Sequence, residues 1–379
     1  MRTNLTIMLA AALLAIASRA GGGPYDKYIW ETPRTAGIDE ARTAPLRAEL
    51  AYEVQQILDA PPLGPLRVAY GDVPFEAYWL YYERGRIITT LAYAYPHVSP
   101  QQQAGIRTYV RNLLASEEQA PWNEGLLPQK YGAERRLYKT PVREGRYVTH
   151  VNRPVPTLHV LYGLWLYGDR TGDWEPIQSN WQSIRQRYLQ GVPREPILYG
   201  QMSAHIAVAR MAKRFGDAGT QAAAEAALER DFDEGRDSNA IEQRQRKTHY
   251  APFYGNRNIS AFPGMPFMFL DASPEVMRFV ADHVKDQALD RIDRMKRRYP
   301  LWWVHQAPYG TRWTGDESKG TPPDLFGMVF NVERWVRGAT AEELALWLRS
   351  APLGIGDSYW IEGLVQTIEA FGTVQWKEL

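Results

Sequence analysis

The chain has no cysteine. This excludes a disulfide framework, a thiolate metal centre and a lipid-modified cysteine, and at 379 residues the protein can bury a stable core without covalent staples. Histidine is also scarce. The seven histidines form no H-E-x-x-H and no pair spaced along one helix for a metal, and G-x-S-x-G and a phosphate-binding glycine loop are absent as well. No cofactor is therefore expected, and only a structural Ca²⁺ is left open. Charge of one sign is missing too. A formal net charge of +1 gives no field directed at nucleic acid or an anionic membrane, so any selectivity must be local. No low-complexity linker divides the chain, and residues 21–379 read as a single domain.

The one long apolar run is at the start. Arg2 precedes the stretch Leu5 to Ile16, and Ser18-Arg19-Ala20 follows with small residues where a signal peptidase reads. The run falls short of the ~20 apolar residues of a bilayer span. Residues 1–20 are expected to be a cleaved secretory signal, leaving a secreted or periplasmic bacterial protein that begins at Gly21.

Aromatic residues are plentiful: 12% of the chain, with 13 Trp and 22 Tyr. Many stand beside glycine, proline or polar residues. Large aromatics fill helical cores, and they also line clefts, so both uses stay open.

Helical periodicity dominates, and one pattern occurs twice between Thr157 and Phe232. Leu158, Leu161, Tyr162, Trp165 and Leu166 form an apolar face that ends at Gly168-Asp169, and a second helix starts near Asp173. Ile206, Ala209 and Phe215 repeat the face, Gly216-Asp217 the stop, and Thr220 to Phe232 the return helix. The two Gly-Asp pairs are 48 positions apart, a spacing typical of stacked helical units, and one hairpin cannot bury both of its faces alone. Further helices are expected at Ile38 to Leu58, Phe75 to Tyr95 and from Ser99, where Ser99-Pro100-Gln101-Gln102 is a capping sequence. Others are expected at Asp324 to Val336 with a stop at Gly338, after a Thr340/Glu343 cap, and at Tyr359 to Phe371. Three breaks interrupt them, Glu118 to Arg153, Gly235 to Pro266 and Tyr299 to Pro323, and long irregular stretches of this kind are usually functional.

Antiparallel hairpins without βαβ alternation exclude a doubly wound sheet. Taken with W-x-x-I-x-x-N-W at Trp174 to Trp181, the Gly-Asp turns and the aromatic loops before helices, the sequence resembles the α/α-toroid superfamily, the six-hairpin glycosidases and related polysaccharide lyases. The resemblance implies an all-α fold, an (α/α) toroid or incomplete toroid of helical hairpins with long aromatic loops at one end.

Two residue groups could carry chemistry at those loops. The first is neutral and basic: His150, Asn152 and Arg153, then Tyr199, Gln201 and His205, then His249, Tyr254, Asn256, Arg257 and Asn258. Elimination at a uronate needs a carboxylate clamp and a base beside the acidified C5 proton, and the resemblance to toroid lyases implies an Asn/His/Tyr/Arg set. This assigns catalysis to Tyr254, with His205 or His150, Arg257 as the clamp and Asn152. Trp122, Tyr199, Gln201, Asn256, Trp302, His305, Trp313, Asp316 and Trp360 would bind sugar. The second group is acidic. Asp316 and Glu317 with Asp357 would suit an inverting hydrolase, which needs two carboxyls about 6.5 to 9.5 Å apart. The expected function is a uronate polysaccharide lyase, then an inverting glycoside hydrolase, then an exported glycan-binding or envelope scaffold that catalyses nothing. In every case the partner is a polysaccharide or oligosaccharide.

Overall fold

A computed structural model describes residues 23–59, 84–115, 158–191, 199–241, 267–269, 271–298, 300, 302–303, 323–349 and 358–379. Residues 1–20, where a signal is expected, and nearly all of the three breaks lie outside them. Among the described residues the protein is mostly α-helical, and one small sheet corrects the all-α expectation.

The chain enters through a short helix α1 (Asp26–Ile29) and strand β1 (Glu31–Ala36), followed by α2 (Glu40–Asp59), α3 (Arg84–Ala94), a 3-10 turn (Tyr95–His97) and α4 (Pro100–Ala115). The middle holds α5 (Leu158–Thr171), α6 (Glu175–Ser179), α7 (Trp181–Gly191), α8 (Tyr199–Phe215) and α9 (Ala218–Gly235). A second 3-10 turn (Phe267–Phe269) leads to α10 (Pro274–His283), α11 (Lys285–Arg298) and α12 (Pro323–Val332), which runs on as a π-helical turn (Glu333–Arg337). Then come α13 (Ala341–Arg349), α14 (Ser358–Ala370) and strand β2 (Thr373–Glu378).

Local chemistry sets most of these boundaries. Ser99 Oγ accepts from the Gln102 backbone N–H at 3.3 Å while Gln102 Oε1 accepts from the Ser99 N–H at 3.4 Å, a reciprocal capping box at the start of α4. Thr340 and Glu343 do the same ahead of α13. Gly216 and Gly338 close α8 and the π-turn at φ 73° and 78°, where an L side chain is disfavoured. Asp217 then caps α9, its Oδ1 accepting from the Thr220 N–H at 3.0 Å.

One boundary differs from the sequence expectation. α5 runs through Gly168-Asp169 and stops at Gly172, φ 71°. The stretch Y-G-D-R-T-G-D-W holds two Gly-Asp pairs, and the second is the turn. Gly168 serves packing instead, since a Cβ there would meet the Trp174 ring at 2.5 Å. The repeat survives, one turn later.

The sheet pairs the two ends of the described chain. β1 and β2 are antiparallel, with Pro33 opposite Trp376. Arg278 stacks on the Trp376 ring at 4.4 Å and bonds Glu31 Oε2 at 2.7 Å, tying both strands to α10. The strands are six residues each, too short for an alternation to stand out against the helical pattern.

Consecutive helices pack on each other in α2–α3, α8–α9, α10–α11, α11–α12 and α13–α14. Contacts also join helices distant in sequence. α3 packs against α5 and α14, α5 against α8, α8 against α10, α10 against the π-turn that extends α12, and α12 against α14. These helices carry the deepest side chains, among them Leu91, Leu164, Met202, Phe279, Val329 and Leu364. No helix among the described residues is long and apolar enough to cross a membrane.

Candidate functional site

A cleft of mixed polar and apolar lining lies among the central helices. α14 supplies Tyr359, Glu362, Gln366 and Glu369, and α3 supplies Thr89 and Tyr93. Tyr162 and Arg170 come from α5, Asn331 and Trp335 from α12 and its π-turn, and Asp271 from the turn before α10. Its cavity is about 60 Å³, room for about four waters at roughly 15 Å³ each.

α14 supplies much of the polar part of the lining. In W-I-E-G-L-V-Q-T-I-E-A, Glu362, Gln366 and Glu369 are spaced i, i+4, i+7 and so share one face of an otherwise apolar helix. Glu362 Oε1 accepts from Thr90 Oγ1 at 2.8 Å. Glu369 Oε1 lies 3.3 Å from His97 Nε2. Burial pushes the Glu369 carboxyl up, but the His97 bond and the charges of Arg170 and Arg334 outweigh it and hold the group below the usual carboxylate range.

The tyrosines respond in the opposite sense. Burial, and then the charges of Glu362 and Glu275, push the Tyr93 hydroxyl far above its ordinary value, and its hydrogen bond with Tyr162 only partly offsets this. Tyr162 is raised by burial and by Glu275, to which it donates at 2.9 Å. Both phenols therefore stay protonated at neutral pH and serve as donors, not bases.

Asp271 is the one described non-glycine residue with positive φ, at 60°. Aspartate tolerates this region better than most residues, and such placements gather where a side chain must be aimed. The π-turn beside Trp335 is a second irregularity, and π-turns within helices are frequent at functional sites. Of the buried polar atoms without a hydrogen-bond partner among the described residues, two belong to cleft-lining side chains, Arg170 Nε and Gln366 Oε1.

The sequence-selected residues fall in two sets. Trp122, His150, Asn152, Tyr254, Asn256, Arg257, His305, Trp313, Asp316, Glu317 and Asp357 lie outside the described residues. Tyr199, Gln201, His205, Trp302 and Trp360 are buried, and none lines the cleft. Tyr199 donates to the Gly235 carbonyl at 2.9 Å and stacks on Phe269, behind the cleft wall. His205 Nδ1 lies 2.7 Å from the Tyr188 hydroxyl, and its Nε2 is 3.2 Å from Asp231 Oδ2, in a fully enclosed cluster between α7, α8 and α9. That contact is close enough for an ion pair but is misaligned for a hydrogen bond, since both atoms lack a hydrogen-bond partner. Trp302 packs against Trp347 and Phe326, and Trp360 against Phe326. Tyr199, Gln201, His205 and Trp360 stand in the first turns of their helices and Trp302 in a turn after α11, all buried in the core.

Sequence reasoning passed over Glu362, Gln366, Glu369, Asp271 and Arg170. The signal for the first three was the polar stripe on an apolar helix. Arg170 falls in a turn if Gly168-Asp169 is the stop, and Asp271 in D-A-S-P looks like an ordinary helix approach.

Comparison with family models, curated proteins and solved structures finds no match to this chain.

Proposed function

We propose that the protein is an exported glycan-active enzyme on an α/α toroid, and that it hydrolyses glycosidic bonds by general acid–base catalysis. The toroid reading is supported by the helix neighbours: from α3 through α5, α8, α10, α12 and α14 they lead back to α3. Six central helices in that order, with α2 before the first and α4, α7, α9, α11 and α13 between the rest in sequence, suit six hairpins closed into a ring. Export rests on the signal-like residues 1–20.

The observation that carries the chemistry is the acidic lining. Glu362 and Asp271 enter the cleft from different elements, with Glu369 also in the lining and Arg170 as its one arginine among the described residues. A uronate carboxylate would face this acidic excess, and the tyrosines are poor bases there. Two carboxyls across a sugar suit hydrolysis, one protonating the leaving oxygen and the other activating water. Glu362 and Asp271 take these roles, and Glu369, held ionised, supports the charge that develops on the ring. Elimination remains the second reading, favoured by Arg170, whose unbonded Nε could clamp a carboxylate.

The test is product chemistry. Purified protein incubated with neutral and uronate polysaccharides should release reducing ends without the ultraviolet absorbance of a conjugated double bond. Appearance of that absorbance would replace hydrolysis by elimination, and a protein that binds glycans but releases neither product would be a scaffold.

A further inference from the structure

The two-stranded sheet borders the cleft. Residues two apart in a strand, and residues directly opposite across a pair, share a face, so Glu31, Pro33 and Trp376 lie on one side of the sheet and Arg34 on the other. On the first side Pro33 lines the cavity. The Trp376 ring lies 6.3 Å from that of Trp335, another lining residue, and Arg278 of α10 joins Trp376 to Glu31. On the second side Arg34 Nη2 donates to both carboxylate oxygens of Asp169 at 2.7 Å. Asp169 immediately precedes Arg170, which lines the cavity from the last turn of α5. One ribbon therefore grips two walls of the cleft that come from separate elements, the end of α5 and the π-turn after α12.

We infer that this ribbon is a strap that couples the two walls: the last turn of α5 and the π-turn hold their places in the cleft only while β1 and β2 stay paired. A ribbon of two strands is marginally stable by itself, so its pairing depends on the side chains that hold it from either face. Loosening the hold on one face frees the strands, and freed strands release the other face. Coupling of this kind runs equally in both directions. The helices differ from the ribbon because their backbone bonds are internal, so a loosened strap displaces their ends without melting them. Arg170 and Trp335 are thus positioned by Arg34, Asp169 and Trp376, which are not in the described lining of the cavity.

Amide hydrogen exchange of the intact chain, compared between wild type, Trp376→Ala and Arg34→Met, tests the strap. Trp376→Ala removes the ring beside the π-turn and should speed exchange about tenfold, the scale of one lost aromatic contact. The faster exchange should appear in Glu333–Arg337, in both strands, and also in residues 168–171 at the far wall. Arg34→Met should give the same pattern from the other side, starting at residues 168–171 and reaching the π-turn through the strands. Faster exchange confined in each variant to the wall it touches overturns the strap, as does a far wall that loosens while the strands stay protected, or no change in either variant. A variant that loosens α9 to the same degree is globally destabilised, and the milder Trp376→Phe and Arg34→Lys are then read by the same outcomes. Exchange needs no ligand, so a failed strap leaves the hydrolase reading untouched, and loss of that reading leaves the strap in place.

Discussion

Arg210 Nη1 and Glu275 Oε1 meet at 2.9 Å where neither side chain reaches solvent. The arginine also donates through Nε to the Ile29 carbonyl at 2.7 Å and through Nη2 to the Glu31 carbonyl at 2.8 Å, and its guanidinium lies over the Trp165 ring at 4.1 Å. A single side chain on α8 thereby joins the entering segment, α5 and α10. Tyr162, the other partner of Glu275, faces the cleft, so this buried pair also supports the cleft wall.

Arg210→Met should be among the most damaging single changes, costing about 3–5 kcal/mol because it leaves Glu275 charged and uncompensated. Urea denaturation of the variant measures the loss. Pairing it with Glu275→Leu should recover part of the stability, since removing both charges avoids the unpaired one. Burial raises the Glu275 carboxyl and Arg210 more than offsets it, so the folded value is below the unfolded one. The stability this group contributes is complete above its unfolded value and is lost as pH falls through the folded value.

Gly216→Val should cost more than the ~1 kcal/mol of an ordinary glycine replacement, because a β-branched residue is strained at positive φ. Among the described residues no atom lies within 4 Å of the added Cβ, so backbone strain dominates the effect. Gly168→Ala should cost about 1–3 kcal/mol for a different reason, overpacking against Trp174. Thermal melts of the two variants check this, and a neutral Gly168→Ala would remove the packing role assigned to that glycine.

Asp217→Ala should destabilise by about 1 kcal/mol near neutral pH, the usual value of an N-cap. Burial pushes the Asp217 carboxyl up, but the Thr220 N–H and hydroxyl, Arg185 and Trp181 bring it down to about 2. The lowered value means that the cap's extra stabilisation is present above the unfolded value of about 3.9 and disappears as pH falls through the folded one. Wild type and variant should therefore differ at neutral pH and converge near pH 2 in denaturant titrations.

The helical architecture was legible because it is written in local signals. Ser99 with Gln102, Thr340 with Glu343, and the glycines at 216 and 338 each satisfy helix-end groups using residues only a few positions away. What could not be read depends on neighbours far off in sequence. Nothing local distinguishes Gly168 from Gly172 until Trp174 is seen against the first of them. His205 and Trp360 carry chemistry-bearing side chains at helix entrances, and only packing decides that they face inward. The α14 stripe was visible, yet its meaning came from Arg170, Tyr93 and Asp271, which other elements bring to it. The terminal sheet joins residues more than three hundred positions apart, which is beyond any short-range pattern.

The account's central claim is that Glu362 and Asp271 act together on a glycosidic bond. Its most direct test is the rate of reducing-end release from a cleaved neutral glycan by Glu362→Gln and Asp271→Asn, each compared with wild type. Both changes are nearly isosteric, and asparagine accepts the positive φ at 271 as aspartate does. The account predicts that each variant loses about 10²–10⁴-fold in rate, the usual share of a general acid or base, while its melting temperature stays close to wild type. Wild-type rates in either folded variant would contradict it.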